Sequence, residues 1–267
     1  MKLDVLFTPA GLTLAEVQGR TVFVIDILRA TTSMCAAMNS GARAILPVAS
    51  TEEALRLAQT IGSDDVLLAG EKRCLRIEGF HLGNSPLEMT EAAVRGRTLV
   101  LTTTNGTKAL LACQGAAAVH PACAGNLSLA AERARDVVEQ DGAVLVVCAG
   151  RDGAFSLDDA YTAGRLVAAV LAGAGKRRGL NDAALASLDL VRRYGERWER
   201  PLRRSRAGRE LVRLGFADDV TASARLNSGV RPHASSLLSR DMFASHRGGW
   251  PEGSASIRRV ADDPRRQ

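Results

Sequence analysis

The chain has 267 residues, 46% of them hydrophobic and 24% charged, enough apolar material for one large α/β domain or two small ones. No apolar run approaches the roughly 18 residues of a membrane span, so no membrane partner is expected, and the opening "MKLDVLFTPAG" reads as a first strand instead of a signal peptide. The net charge of +6 hints at nucleic acid, but residues 176–213 hold 12 Lys or Arg against five Asp or Glu, which leaves the rest of the chain close to neutral. In that basic part Glu196, Glu199 and Glu210 recur at helical spacings, as on a solvated face. No nucleic-acid motif accompanies it, so no nucleic-acid partner is expected.

In chain order, short apolar or β-branched runs predict strands: "LDVLF", "TVFVIDIL", "ARAILPV", "DVLLAG", "RTLVLTTT", "AAAVHPA" and "AVLVVCAG". Amphipathic patterns of ten to fifteen residues separate them. Ser50 with Glu53 makes a capping box before "TEEALRLAQTIG". Ser85, Pro86 and Glu88 read as an N-cap, a proline at the first helical position and a box partner, and Ser156 with Asp159 repeats the arrangement. Beyond Gly175 only helical patterns follow, from about Asn181 to Arg225. The fold class is therefore α/β: a mainly parallel sheet flanked by helices in three layers, with a helical C-terminal segment. One domain is expected over residues 1–240, two subdomains being left open, and residues 241–267 read as a flexible tail rich in Gly, Pro, Ser and charge. The five cysteines are widely spaced and odd in number, as for buried free thiols in a reducing cytoplasm.

In a parallel α/β sheet, ligands bind beyond the carboxyl ends of the strands. Polar clusters fall there four times. "TVFVIDIL" leads to Asp26, Arg29, Thr31 and Thr32. "DVLLAG" leads to Glu71 and, through "GFHLGNSP", to Asn84 and Ser85. "RTLVLTTT" leads to Thr104, Asn105, Gly106 and Thr107, and "AVLVVCAG" to Arg151, Asp152, Ser156, Asp158 and Asp159. Each cluster alone has a plain alternative: Asp26 as a helix cap, Asn105–Gly106 as a turn, Asp158 and Asp159 as partners of a helix dipole. Together they bring carboxylates (Asp26, Glu71, Asp152) and guanidiniums (Arg29, Arg151) to one rim. That mixture suits a hard divalent cation with an anionic substrate.

Familiar schemes are absent. There is no G-x-G-x-x-G after the first strands, and "LAGAGKR" lacks the upstream glycine and the hydroxyl of a phosphate loop. No cysteine is followed by arginine at the spacing of a Cys-based phosphatase. The second aspartate of a haloacid-dehalogenase site is replaced by Leu28. The four histidines have no zinc-like spacing.

"VIDILRATTSM", "AGEKRCLRIEGFHLGNSP", "LTTTNGTKAL" and "CAGRDGAFSLDDAYTAG" resemble, in order and spacing, the signature blocks of the 2-phosphosulfolactate phosphatase family. The likeness continues into "RSRAGRELVRLGFADDVTASARLN" and covers about residues 3–232. Arg151 stands where that family often has a small residue, and Arg231 stands before Pro232 where an apolar one is usual. The resemblance implies a Mg²⁺-dependent acid phosphatase that hydrolyses 2-phospho-3-sulfolactate to 3-sulfolactate, a step towards coenzyme M. The expected partner is then a small anionic phospho-sulfonate, and assembly with further copies of the chain is left open. Expected catalytic residues are Asp26, Arg29, Glu71 and Asn105, with Mg²⁺ held among Asp26, Glu71 and Asp152. Thr31, Thr32, Asn84, Ser85, Thr104, Gly106, Thr107, Arg151 and Ser156 are expected to bind substrate. Direct attack by water and a phosphoenzyme both stay open, as do a related 2-phospho acid as substrate and a non-catalytic phosphometabolite-binding protein.

Overall fold

All seven apolar runs form strands, and the period-two pattern within them explains how they pack. The computed structural model describes residues 2–62, 64–173, 179–228 and 257–258. In chain order its elements are β1 (Lys2–Leu6), α1 (Leu14–Val17), β2 (Thr21–Ile25), α2 (Ala30–Asn39), β3 (Ala44–Pro47), α3 (Thr51–Ile61), β4 (Val66–Lys72), β5 (Leu75–Arg76) and α4 (Glu91–Val94). There follow β6 (Thr98–Thr102), α5 (Gly106–Ala112), β7 (Ala118–Pro121), α6 (Leu127–Glu139), β8 (Ala143–Cys148) and α7 (Leu157–Gly173). The C-terminal segment is α8 (Asp182–Tyr194), α9 (Glu199–Arg204), α10 (Arg206–Arg213) and α11 (Ala217–Ser223), as its helix-only pattern predicts, and β9 (Ile257–Arg258) closes the series.

The strands divide between two sheets instead of forming one. The first is parallel throughout, in the order β1-β8-β2-β7; the second runs β5-β4-β6-β3-β9, with β4, β6 and β3 parallel and the two short edge strands antiparallel. Alternation sorts each strand's side chains between layers. Phe23 and Ile25 of β2 join Val144 and Val146 of β8 in a core covered by α6, α7 and α8, whereas Val22 and Val24 face the other way. That second face meets Leu99, Leu101 and Ile45 of the second sheet, with α2 and α5 filling the space between. Val100, Leu46 and Leu68 point outward again and are covered by Ala54 and Leu57 of α3. Each sheet is thus sandwiched by helices, and α2 and α5 serve both.

The carboxyl ends of β2 and β8 and those of β4 and β6 meet around the starts of α2 and α5. Gly70 lets β4 approach β6 closely: a Cβ there would lie 2.2 Å from the Thr102 carbonyl oxygen, and its φ is +155°.

The caps follow the sequence in part. Ser50 accepts from the Glu53 N–H while Glu53 reaches the Ala49 N–H. The helix expected from Ser85 is only a turn: Leu87 and Glu88 bond back to Ser85, Glu88 turns its carboxylate to the Gly83 N–H, and α4 starts later with Thr90 as its cap. Asp159 does not return to Ser156 as a box partner, for reasons given by the site below. Residues 241–267 lie outside the described residues except Ile257 and Arg258, which pair with Ile45 and Ala44. Among the described residues no helix is long and apolar enough to cross a membrane.

The C-terminal helices are fastened to the edge of the first sheet by Asn181. Its Oδ1 accepts from the Ala184 N–H, capping α8, and from the Val5 N–H, while its Nδ2 donates to the Val5 carbonyl (2.8 Å). The side chain so replaces a neighbouring strand along β1. Asn181→Ala removes the cap and leaves two backbone groups of β1 unpaired, so chemical denaturation is expected to show a loss of about 2–4 kcal/mol. Asn181→Asp keeps the cap but sets an acceptor against the Val5 carbonyl. It should lose nearly as much, whereas recovery in that variant would reduce Asn181 to a cap.

Candidate active site

Asp26 follows directly on β2 and is buried. Its carbonyl accepts from both the N–H and the Oγ1 of Thr31, and the Ala30 N–H reaches its Oδ1 (3.4 Å). Thr32 donates to the Ile27 carbonyl (2.8 Å) and Ser33 to that of Asn84 (2.8 Å), so the start of α2 is laced to its own strand and to the loop before α4. The peptide bond between Leu28 and Arg29 is cis.

Neighbouring loops hold this turn from several sides. Asp159, at the start of α7, accepts from the Ile27 N–H with one oxygen and from the Gly150 N–H with the other, each at 3.0 Å, which ties the loops after β2 and β8 together. Glu71 accepts from the Cys74 N–H and the Thr104 N–H, each at 2.7 Å, which ties the β4–β5 turn to the loop after β6. Asn105 Oδ1 accepts from the Asp152 N–H (3.2 Å). Gly106 lets α5 begin against Asp26, since a Cβ there would lie 2.4 Å from the Ala30 Cβ and 2.6 Å from Asp26 Oδ2. The β4–β5 turn carries Arg73 and Cys74, both with left-handed φ (53° and 69°), where glycine or asparagine is the usual choice.

These loops enclose a cavity of about 270 Å³. Asp26, Arg29, Glu71, Asn84, Thr104, Asn105, Arg151 and Asp152 line it, joined by Leu28, Arg73, Cys74 and Glu210. Three of its polar atoms are buried without a partner: Asn84 Oδ1, Thr104 Oγ1 and Arg151 Nε. Buried polar groups are ordinarily paired, so this clustering marks a place built for a ligand. Asp26 has its carboxyl pushed up to about 7, first by burial, then by the charges of Glu71 and Asp158, against the Ala30 N–H and Arg29. Burial also raises Asp158 and Asp159, while the Ser156 hydroxyl bonded to Asp158 favours its charged form.

The remaining expected site residues stand behind the cavity. The hydroxyls of Thr31 and Thr32 are turned to backbone carbonyls, Thr107 exchanges bonds with Thr103, Ser156 donates to Asp158, and Gly106 supplies clearance. The Ala30, Thr31 and Thr107 N–H groups are likewise engaged within the protein. Ser85 donates to Asp219 Oδ1 (2.6 Å).

Arg29, an expected catalytic residue, lines the cavity and is bound on both arms within the protein. Nη1 pairs with Asp219 Oδ2 at 2.6 Å, Nη2 donates to the Cys74 carbonyl at 2.6 Å, and the guanidinium stacks on Phe216, with both charged side chains only 3% exposed. Asp219 of α11 was hidden in the sequence because an Asp-Asp pair opening a short helix looks like a solvated response to the dipole. The available signal was its place between Phe216 and Val220, on the helix face that is buried.

Nor are Asp26, Glu71 and Asp152 assembled as a three-ligand metal centre: among the described residues no group of three His, Cys, Asp or Glu side chains is placed to hold an ion. Asp152 is exposed and lies 3.8 Å from Arg206. Asp26 and Glu71 remain as an all-oxygen pair of like charge, the kind of donor set that a hard cation satisfies together with substrate oxygens.

A larger open groove of about 790 Å³ lies among the C-terminal helices, lined by Arg165, Trp198, Arg200 and Arg203. Much of that basic surface is internally paired, as in Arg203–Glu199, Arg213–Glu210 and Arg192–Asp189, in keeping with a solvated helix face.

A family model described as 2-phosphosulpholactate phosphatase matches residues 6–229. The chain belongs to the 2-phosphosulfolactate phosphatase family. It is 40% identical over 213 residues to a protein of Symbiobacterium thermophilum, a match covering 80% of this chain and 90% of the relative. A Deinococcus radiodurans protein is 42% identical over 206 residues (77% and 83%), and one from Carboxydothermus hydrogenoformans is 39% identical over 227 residues (85% and 90%). Each relative bears the name probable 2-phosphosulfolactate phosphatase. The cavity lies within the matched residues, where the four sequence blocks that hold Asp26, Glu71, Asn105 and Asp152 converge.

Two outcomes follow from the site's electrostatics. Arg29→Ala or Asp219→Ala leaves a buried charge unmatched and is expected to cost about 3–5 kcal/mol in thermal or chemical unfolding. A near-wild-type melt in either variant would make Arg29 a surface group available to substrate. The second concerns Asp26. Its carboxyl sits near 7 in the folded chain against an ordinary 3.8. Its contribution to stability is therefore fully present below the unfolded value and is lost as pH rises through the folded one. In buffer with chelator, Asp26→Asn should gain on the wild type by on the order of 2–4 kcal/mol between pH 4 and pH 8, measured by denaturant midpoints. A pH-independent difference contradicts the shift.

Proposed function

We propose that this chain hydrolyses 2-phospho-3-sulfolactate to 3-sulfolactate and inorganic phosphate. The observation that carries this reading is the cavity itself, where a buried aspartate with its carboxyl near 7 faces three unpartnered polar atoms. The family match and the names of the relatives support the substrate.

Hydrolysis needs a water to add to phosphorus as the ester oxygen leaves, one proton being lost by the water and one gained by the alkoxide. A carboxyl near neutrality suits such a transfer only while no cation is bound to it; with the ion in place Asp26 would serve as a ligand and the protons would pass through water. Thr104 offers its unpartnered hydroxyl as a donor to a phosphoryl oxygen, Asn84 Oδ1 can accept from the attacking water, and Asn105 lines the same cavity. Arg29 and Asp219 keep Asp26 and the β4–β5 turn in register, so that this geometry is in place before substrate arrives.

Mg²⁺ belongs to the proposal. Asp26 and Glu71 would hold it, and when bound it would offset negative charge on the phosphoryl group and leaving oxygen. Their all-oxygen chemistry and the mutual repulsion that raises Asp26 support this assignment.

The test is a phosphate-release assay on 2-phospho-3-sulfolactate with chelator, and then with Mg²⁺ or Zn²⁺ restored. Release that stops with chelator and returns with Mg²⁺ is expected. Full activity in excess chelator removes the ion from the reading, and no release under any condition removes the reaction.

A further inference from the structure

Four of the five cysteines are buried, all as free thiols, and two of them adjoin each other. Cys35 lies on α2, and Cys123 caps the 3₁₀ turn Ala124–Asn126, which leads into α6 and packs against α2. Asn126 fixes that turn: its Oδ1 accepts from the Cys123 N–H (2.9 Å) and its Nδ2 donates to the Pro121 carbonyl (3.0 Å). The Cys35 thiol donates to the Cys123 sulfur, and the Asn126 and Gly125 N–H groups face that sulfur as well. Both cysteines border a cavity of about 180 Å³ that shares no lining residue with the candidate active site. Its rim includes the exposed Leu87 and Arg225. Asn39 lines it too, with its Oδ1 buried and unpartnered, an acceptor for a small hydroxylic molecule.

The other buried thiols are placed differently. Cys113 donates to the Ala109 carbonyl (3.2 Å) and burial pushes it up to about 12. Burial also raises Cys148, helped by the charges of Asp159 and Asp158. Of the buried four, Cys123 alone is held below its ordinary value, first by the Cys35 hydrogen bond and then by the Asn126 and Gly125 N–H groups, against burial. Cys35, as the donor, is raised by the same contact and by burial. One sulfur of the pair thus has thiolate character and the other keeps its proton, the division of labour that an attacking and a resolving thiol need.

We propose that Cys35 and Cys123 form a redox-active dithiol, which a hydroperoxide entering the cavity converts to a disulfide. The Cys123 thiolate attacks one peroxide oxygen, the O–O bond breaks, and the departing oxygen takes up a proton to leave as water or an alcohol. Cys123 is then a sulfenic acid. The Cys35 sulfur attacks it, the S–O bond breaks, and the hydroxyl leaves as water with the Cys35 proton. The two thiols lose two electrons and two protons, and the hydroperoxide is reduced. Sulfurs already within hydrogen-bond reach need little movement to join. The bond would fasten α2, whose first turn is laced to Asp26, to the loop that follows β7.

The test treats the reduced, folded full chain with hydrogen peroxide, blocks the remaining thiols and maps its peptides without reductant. A linked Cys35–Cys123 peptide is expected, with two of the five free thiols lost and recovered by dithiothreitol. Cys123 should react on the order of tenfold faster than Cys113 or Cys148. Cys35→Ser should stop the reaction at a Cys123 sulfenic acid, trapped by dimedone, and Cys123→Ser should leave Cys35 a thiol. Where a variant does not fold, the wild-type map decides alone. Cys35 and Cys123 left as thiols while Cys74 or Met89 oxidises overturns the proposal, as does a bridge to another cysteine or a link that forms only in denaturant.

Discussion

The buried pair between Arg29 and Asp219 joins parts of the chain that are 190 residues apart, and the site depends on it. One arm of the guanidinium ends on α11 and the other on the carbonyl of Cys74, in the turn that leaves β4, while Asp219 also takes the Ser85 hydroxyl. Four segments are thereby held by two side chains. Neither charge has access to water, so the pair contributes less to net stability than its short distance implies, yet breaking it strands a charge. Its value is geometric: the C-terminal helices close one side of a cavity whose floor belongs to both sheets.

Charge balance explains the placement of the other acids. Asp26, Asp158 and Asp159 are buried close together, and each raises or is raised by a neighbour. Asp159 tolerates burial because two backbone N–H groups face its oxygens, and Asp158 because the Ser156 hydroxyl donates to it. Asp26 has the long Ala30 contact on its carboxylate, which leaves burial and like charge to dominate. The residue left least satisfied is the one exposed to the cavity, the usual relation between strain in a site and work done there.

The strands were legible because each run is apolar on both faces, and the C-terminal helices because their pattern has a helical period. The division into two sheets was not, since the alternation says which faces are buried but not which strand pairs with which. Asp26, Glu71 and Asn105 line the cavity, each placed there by its position after a strand. Thr31, Thr32 and Thr107 fall at strand ends too, but their hydroxyls lie within reach of carbonyls four or five residues back, and that local bond wins. Arg29 looked free because its partner lies far along the chain. Glu88 looked like a helix box partner because nothing local reveals that the Gly83 N–H would claim it.

The unpartnered atoms of the cavity have a consequence for folding as well as for binding. Asn84, Thr104 and Arg151 forgo hydrogen bonds that water supplies in the unfolded chain, and each such buried group costs on the order of 1–3 kcal/mol. Domains of this kind have only about 5–15 kcal/mol in total. Such a defect persists because the surrounding loops are overdetermined, by Glu71 across two of them, by Asp159 across two more and by Asp219 from α11. A ligand that satisfies the three atoms returns what folding gave up. Groups of this kind lower the stability of a fold and favour whatever ligand can pair with them.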